Sequence, residues 1–509
     1  MVMHPPADHL VQKAFTRKIA PVILMQPTRR SRKNSPVSAR PVGRRSSVVR
    51  RQRIRDPIHN LIEFQTGDFE QMCWRLIQTP QFQRLRRIKQ LGFTDLVYPG
   101  ASHSRFSHSV GVFHTARHLA EVIKRERGDA FDQRKAYVAV AAALVHDLGH
   151  GPFSHSFEDV IKKLGLGKHE TTSVRLIKNG EVASILNSFA PNFSDAVARI
   201  IENKVPEDIY AAIVSSQFDA DRLDYMRRDR MMTGAQSSAI DFEWLLANLE
   251  VRRVKIGQDE QEVREIETLV VGQKAFLAAE AYVLGLFHLY PTIYFHKATR
   301  GAEKVFGALL TCVFQLAIAG DIEATGLPAK HPIILFAKDP NGLSRFCALD
   351  DSVVWGALPM LMESPHACVA ELSKRLFNRD FYKAIDVTAK LEAAFIHLSA
   401  EEREERRRKA EATIRVKLSE SGLLALTDSA PCVLDDVVKR DPYRQVQGDG
   451  AVLDSIYAVD RTGEVMDLSR LSRVVEALKK YEVYRIYYRE SDTETKTKLD
   501  GIIEEHCHA

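Results

Sequence analysis

At 509 residues the chain exceeds an ordinary single domain, and its 45% hydrophobic content is ample for a core, so one large helical domain with appendages is expected. Six cysteines, Cys73, Cys312, Cys347, Cys368, Cys432 and Cys507, lack CxxC spacing, which excludes a disulfide framework or a cysteine zinc site and predicts reduced thiols in a cytoplasmic setting. No apolar run reads as long enough to span a membrane, and the net charge of +6 is modest but unevenly placed.

Residues 1–52 are rich in Arg, Lys, Ser and Pro and nearly free of acids, a composition that cannot form a core and reads as a disordered basic extension. Such an arm could bind nucleic acid or another anionic surface, or resemble a transit peptide, but charge runs are more often simply solvated. From Arg53 the chain becomes globular. Ile54 to Phe64 reads as a short strand or turn, and Asp68 to Leu91 as helices with Phe82, Leu85 and Ile88 at helical spacing. In the next segment Val112 and Phe113, Ala116, Leu119 and Ala120, and Ile123 mark one face of a helix, with His108 near its start.

The run VAVAAALVHDLGHGPFSHSFE, Val138 to Glu158, predicts an alanine-rich buried helix that ends near Gly149, Gly151 and Pro152. His146 and Asp147 would then sit in its last turn, where the helix dipole favours a cation. Further helices are expected from His169 and through Asp195 to Glu202, and QFDADRLDYMRRD places Asp219, Asp221 and Asp224 on another. Glu250 to Val271 changes period and predicts a hairpin about Gly257 to Glu260. A long helical stretch follows, interrupted at Pro291. From about Leu327 the chain mixes helices with the charge-dense EEREERRRKAEA and with YEVYRIYYRE, a composition more typical of oligomerisation or lid structure than of chemistry.

A divalent cation bound by nitrogen and oxygen donors from separate rigid helices needs a set such as His108, His146, Asp147 and Asp221. A His-Asp doublet alone is equally compatible with a buried hydrogen-bonded pair; the flanking donors shift the balance to a metal. Mixed ligation suits Mn, Mg, Fe, Co, Ni or Zn alike. Such an ion can polarise a phosphoryl oxygen and lower the pKa of bound water, so hydrolysis of a phosphate ester follows. His150, His155 and His169 are candidates for moving protons, with Glu158 placed to orient one of them.

Five ordered blocks carry a resemblance: RDPIHN (Arg55 to Asn60), TPQFQRLRRIKQLG (Thr79 to Gly92), YPGASHSRFSHSVGV (Tyr98 to Val112), VHDLGHGPFSH (Val145 to His155) and DADRLDYMRRD (Asp219 to Asp229). Together they resemble the HD-domain phosphohydrolases, and within them the branch of deoxynucleoside triphosphate triphosphohydrolases. The resemblance implies a mainly α fold, an HD-domain helical hydrolase with a small β-hairpin insertion and a mixed α/β C-terminal region. It divides the chain into an HD domain at 53–325 and a C-terminal region at 326–509 with an oligomerisation or regulatory role.

The resemblance further implies a nucleotide substrate, cleaved at the α-phosphate to deoxynucleoside and triphosphate, with His155 protonating the 5′ oxygen and His169 and Glu158 as its supporting pair. Gln90 and Leu91 would line the deoxyribose, Arg105 and Arg222 would contact phosphate, and Asp229 with Tyr225 would hold the sugar, its carboxylate accepting from the 3′-hydroxyl. Tyr294 would crowd the 2′ carbon. Gln83 and Arg86 match a site for a regulatory nucleotide, although Gln78 departs from the family's guanine-recognising aspartate. An Arg and a His that assist phosphate binding in the family fall on Leu286 and Tyr290, leaving Lys297, Arg300 or His288 to compensate. The family's habit of nucleotide-linked assembly implies a homo-oligomer. Other readings keep the metal and change the substrate, giving a nucleotidase or nucleic-acid phosphodiesterase, or keep the fold as a nucleotide-sensing scaffold with low turnover.

Overall fold

Alanine sets the centre of the fold. In the Gln133–Val145 helix, Ala136 and every residue from Val138 to Val145 are buried, and these small side chains let neighbouring helices approach from all sides. The helices Arg105–Arg127, Phe193–Glu202 and Ile209–Ser215 pack directly against it, and Ala220–Thr233 lies across the first of them. The helix ends at Val145 with His146 as its cap residue, slightly earlier than the Gly149, Gly151 and Pro152 break suggests. His146 and Asp147 therefore stand at the mouth of the helix and not inside its last turn.

The computed structural model describes residues 50–507 apart from 164, 204, 238, 257–263 and 444–452, and Arg50–Ala509 forms one compact unit. Most of the expected basic extension, and the turn expected at Gly257 to Glu260, lie outside the described residues. The fold begins slightly earlier than expected, because Gln52 already opens a strand. β1 (Gln52–Asp56) and β2 (Asn60–Phe64) form an antiparallel hairpin that pairs Asp56 with Asn60. Asp56 Oδ1 accepts from the amides of Ile58 and His59 and fixes the tip.

The expected insertion hairpin, β3 (Leu249–Ile256) and β4 (Arg264–Val271), is half of a larger sheet. β5 (Lys383–Asp386) and β6 (Val433–Arg440) belong elsewhere, but β7 (Tyr457–Val459) runs parallel to β4 and β8 (Val465–Asp467) closes a four-stranded sheet in the order β3-β4-β7-β8. A second sheet has β9 (Tyr481–Tyr488) between β5 and β6. The C-terminal region expected from residue 326 is thus woven into the remainder. Gly326 itself, at φ 75°, sits so close to Met360 O that a Cβ would lie 2.8 Å from it.

Charge in the Ala400–Glu420 helix has a structural use. Ser399 and Glu402 form a capping box, and Glu411 is buried, accepting from Thr388 Oγ1 at 2.6 Å and Arg407 Nη1 at 3.0 Å. With Ile414 and Leu418 this seats the helix on a small core shared with Ile385, Ile486 and Leu499.

Two helices, Gln273–Tyr294 and Lys297–Ala319, are long and apolar enough to cross a bilayer by length and composition. That corrects the expectation that no run reaches this length. Both contribute to cores within the fold: Tyr282, Val283, Leu286 and Leu289 join the cluster around the alanine helix, and Val305, Phe306, Leu309 and Val313 form the centre of a second cluster. Pro291 falls in a π segment, Tyr290–Tyr294, which links the two.

Candidate active site

Ser104 caps the Arg105–Arg127 helix and places His108 in its first turn, while Asp219 caps Ala220–Thr233 and places Asp221 in its first turn. These two ends converge on the mouth of the alanine helix. His108 Nε2 lies 2.9 Å from Asp221 Oδ1 and 3.8 Å from Asp147 Oδ2, and His146 Nε2 lies 3.2 Å from Asp147 Oδ1 and 3.8 Å from Asp221 Oδ1. Both Nε2 atoms are buried and neither has a well-aligned hydrogen bond, although carboxylate oxygens of Asp221 and Asp147 lie close to them. Asp147 is buried and Asp221 is 36% exposed, so the group opens on that side.

Each imidazole is aimed by its other nitrogen. His146 Nδ1 donates to Ala143 O at 2.8 Å, and His108 Nδ1 is 2.9 Å from Asp224 Oδ2, which leaves the Nε2 lone pairs for a ligand. Burial alone would lower the His108 pKa, but contact with Asp221 and Asp224 outweighs it and raises it to about 10. The carboxylates around His108 thus favour positive charge at this position, carried by a proton that a metal ion would displace. Asp147 is likewise held well below the carboxylate range, because Arg105, His146 and His150 overcome its burial. Two imidazole nitrogens and a carboxylate, from His108, His146 and Asp147, form a group able to hold a divalent metal ion, and Asp221 Oδ1 lies beside both imidazoles, where it could complete the set.

Behind this set stands an outer layer that the sequence reading did not assign. Asp224 also contacts His59 Nε2 at 2.7 Å and receives two hydrogen bonds from Arg228, which in turn reaches Asp56. Asp224 and Arg228 are spaced i, i+4 on one helix, and His59 and Asp56 come from RDPIHN, so the signal was present in two of the five blocks. Gly111 admits the pair: a Cβ there would lie 2.0 Å from Asp224 Oδ1 and 2.4 Å from Arg228 Nη2.

Next to these donors stands a second group, in which imidazoles gather around Glu158. Glu158 is buried in the first turn of His155–Lys162, and its Oε2 is 3.2 Å from His155 Nδ1 and 3.1 Å from His169 Nδ1. Burial works to raise the Glu158 pKa, but the two imidazoles hold it far below the usual carboxylate range. His155 is 70% exposed, with its remaining edge toward solvent. His150 is buried, stacks on His169 with centroids 3.8 Å apart, and lies 3.2 Å from Asp147 through Nε2. Its burial, with Arg105 and His169 nearby, depresses its pKa and keeps the ring neutral. The turn that brings these groups together runs through Phe153 and Ser154, both at positive φ, and is tied by Phe153 N donating to Asp351 Oδ1 at 2.7 Å.

Expected substrate contacts divide into two groups. Asp229, Tyr225 and Tyr294 come together: the Tyr294 hydroxyl donates to Asp229 Oδ2 at 2.7 Å, and the Tyr225 and Tyr294 rings meet edge to face. His103, unassigned in the sequence, contacts Asp229 Oδ1 at 2.8 Å through Nε2. Gln90 presents a buried Oε1 without a hydrogen bond, and Leu91 packs beside the main core. The two arginines are already engaged. Arg105 is buried between Asp147 and Ser154 Oγ, and Arg222 donates to Asp219 and Ser216 O. They serve the carboxylates first, which sequence spacing could not reveal.

Of the residues expected to compensate for Leu286 and Tyr290, Arg300 is taken up by Asp436 and Glu303, and His288 is exposed beside Phe287. Lys297 is exposed at the start of its helix. Gln83 and Arg86 do meet, with Gln83 Oε1 accepting from Arg86 Nε at 2.8 Å while the Arg86 guanidinium lies 3.4 Å above the Phe106 ring.

The fold and these donors define a phosphohydrolase built on an HD core. Residues 105–227 match the HD domain family. The chain is 30% identical over 437 residues to the uncharacterized protein YwfO of Bacillus subtilis, covering 85% of this chain and 91% of that one. Similarity at 30% identity over 359 residues extends to a Dictyostelium discoideum protein named deoxynucleoside triphosphate triphosphohydrolase SAMHD1 homolog, covering 67% of this chain and 61% of that one. The chain thus spans less than two thirds of that triphosphohydrolase. A solved phosphohydrolase of Bacteroides thetaiotaomicron superposes with a TM-score of 0.65 at 25% identity, covering 87% of this chain and all of that one. The chain belongs to the HD-domain phosphohydrolases, and it is an enzyme of that class with a His/Asp group able to hold a metal ion.

Proposed function

We propose that this enzyme hydrolyses deoxynucleoside triphosphates to deoxynucleoside and triphosphate. The observation that carries the reading is the bonded pair Asp229 and Tyr294 on the helix that also carries Asp221: Asp221 stands in the first turn of Ala220–Thr233, and Asp229, to which Tyr294 is bonded, lies about two turns further along. A carboxylate held between His103 and a tyrosine suits a sugar hydroxyl, and a ring beside it leaves little room for a 2′-hydroxyl. The triphosphohydrolase name of the Dictyostelium relative supports the same substrate.

Bound at His108, His146, Asp147 and Asp221, a divalent ion supplies Lewis acidity for phosphate-ester hydrolysis. The chain's own residues do the remainder. His155, oriented at Nδ1 by Glu158, presents Nε2 to the departing 5′ oxygen and donates its proton. His169 shares Glu158 and holds it in place, while neutral His150 fills the wall between them. Gln83 and Arg86 are kept as a regulatory-nucleotide site, and self-assembly as the accompanying state.

Product analysis tests the reading. The purified protein is incubated with the four deoxynucleoside triphosphates and Mn or Mg, and nucleosides, nucleotides and inorganic products are resolved. Deoxynucleoside with intact triphosphate is expected. Triphosphates that survive with and without a second deoxynucleotide as activator would redirect the assignment to monophosphates or single-stranded nucleic acid.

A further inference from the structure

Leu286 and Tyr290 bring no cation to the pocket, yet a cation is there. A small cavity is lined by Arg222, Tyr282, Leu286, Arg440, Asp441 and Ile456, among others, and Arg222 connects it to Asp219. Arg440 is the last residue of β6, in the C-terminal region, and its guanidinium lies 4.5 Å above the Tyr290 ring. Tyr290 in turn packs on Tyr294 with centroids 4.9 Å apart, and Tyr294 holds Asp229. Arg440 therefore sits one ring away from the sugar-side pair.

Its charge lies against the Tyr290 ring and not against a carboxylate. Arg440 Nε is buried without a hydrogen bond, and among the described residues no carboxylate forms an ion pair with it. Asp441 lines the same cavity but is exposed at its rim. Arg222, by contrast, is committed to Asp219 and Ser216. A guanidinium is ionised at any working pH and presents a planar fork suited to phosphate oxygens; this one is half-buried with an unbonded Nε, so it is available to an arriving anion.

We propose that Arg440 is a phosphate-chain cation of this enzyme, delivered to the pocket by β6 in place of the helix positions now occupied by Leu286 and Tyr290, and that it makes the site selective for nucleoside triphosphates over monophosphates. The assignment rests on the deoxynucleoside triphosphate reading above. It makes the C-terminal region part of the substrate site, because the end of β6 lines the same cavity as Leu286 and Arg222.

The test uses the full chain with Arg440→Ala and Arg440→Lys. Measured are kcat and KM for a deoxynucleoside triphosphate and the corresponding monophosphate, metal content, and calorimetric binding of inorganic tripolyphosphate. Arg440→Ala is expected to raise the triphosphate KM and weaken tripolyphosphate by about tenfold to a hundredfold, the range for a charge-assisted hydrogen bond. Metal content and any handling of monophosphate should not change. Arg440→Lys keeps a cation on a long stem that can still reach the Tyr290 ring, a smaller change than Arg440→Ala, and it should recover only part of the affinity. Unchanged KM and tripolyphosphate binding in either folded variant, with the parent active on triphosphates, overturns the role of Arg440. A parent that leaves deoxynucleoside triphosphates intact but binds tripolyphosphate through Arg440 retains the site and overturns the substrate reading instead.

Discussion

The Tyr294 hydroxyl donates to Asp229 Oδ2 across 2.7 Å, and His103 takes the other carboxylate oxygen. Asp229 is thereby fixed in one orientation, with its tyrosine partner forming a wall. Replacing Tyr294 by Ala removes wall and hydrogen bond together, whereas Tyr294→Phe removes only the bond. Tyr294→Ala should therefore narrow the preference for deoxyribonucleotides over ribonucleotides by about tenfold or more, and Tyr294→Phe should preserve it while lowering kcat/KM. Competition between a deoxyribonucleotide and its ribonucleotide, read as a ratio of kcat/KM, decides; identical ratios in all three proteins would remove the steric role.

Metal affinity should depend on a residue that touches no metal. Asp224 orients His108 and is itself held by His59 and Arg228. Asp224→Asn keeps the shape but loses the charge, and is expected to weaken metal binding by about tenfold to a hundredfold. Gly111→Ala forces a methyl group against Asp224 and Arg228 and should weaken binding in the same direction while also lowering the unfolding midpoint. Competition with a chelator, after circular dichroism has established the fold, gives the dissociation constants. Parental affinity in Asp224→Asn would detach Asp224 from the site.

Local chemistry made much of this legible. His108, His146 and Asp147 lie at helix ends that periodicity and alanine content already indicate, and the Asp221 helix follows from its own cap and acid spacing. What could not be read is non-local. β4 recruits β7 from nearly two hundred positions later, Arg105 and Arg222 turn to carboxylates rather than to a substrate, and Asp351 ties down the Phe153 turn from the far side of the chain. Arg440 was invisible for the same reason: nothing in VLDDVVKRDPY says which pocket its last strand residue will meet.

Glu158 bridges two imidazoles, so its loss should damage chemistry without disturbing the metal. In Glu158→Gln the amide can no longer accept from both Nδ1–H groups as a charge, and His155 loses its orientation. A kcat reduced by about a hundredfold or more is expected, within the range for a positioned general acid, alongside an unaltered metal content and substrate KM. His155→Ala should cost as much, and the double variant little more than either single change, because the two residues act as a unit. Additive losses in that cycle would show that Glu158 works independently of His155.

Asp351 gives the fold a pH dependence of unusual sign. Burial raises its pKa to about 7, even though the amides of Lys89 and Phe153 donate to it and oppose the shift. In the unfolded chain an aspartate titrates near 3.9, so between about pH 4 and 7 the folded state binds the extra proton. Its contribution to stability is fully present below pH 4 and falls as pH rises through 7, by at most about 1.4 kcal/mol per pH unit. Asp351→Asn cannot titrate and keeps only one of the two amide contacts, a pH-independent loss. Urea unfolding of parent and variant at pH 5 and pH 7.5 should show the parent's advantage shrinking by about 2–3 kcal/mol between the two conditions. A difference that stays constant across that interval would mean that Asp351 remains ionised throughout, its charge satisfied by the two amides and Lys89.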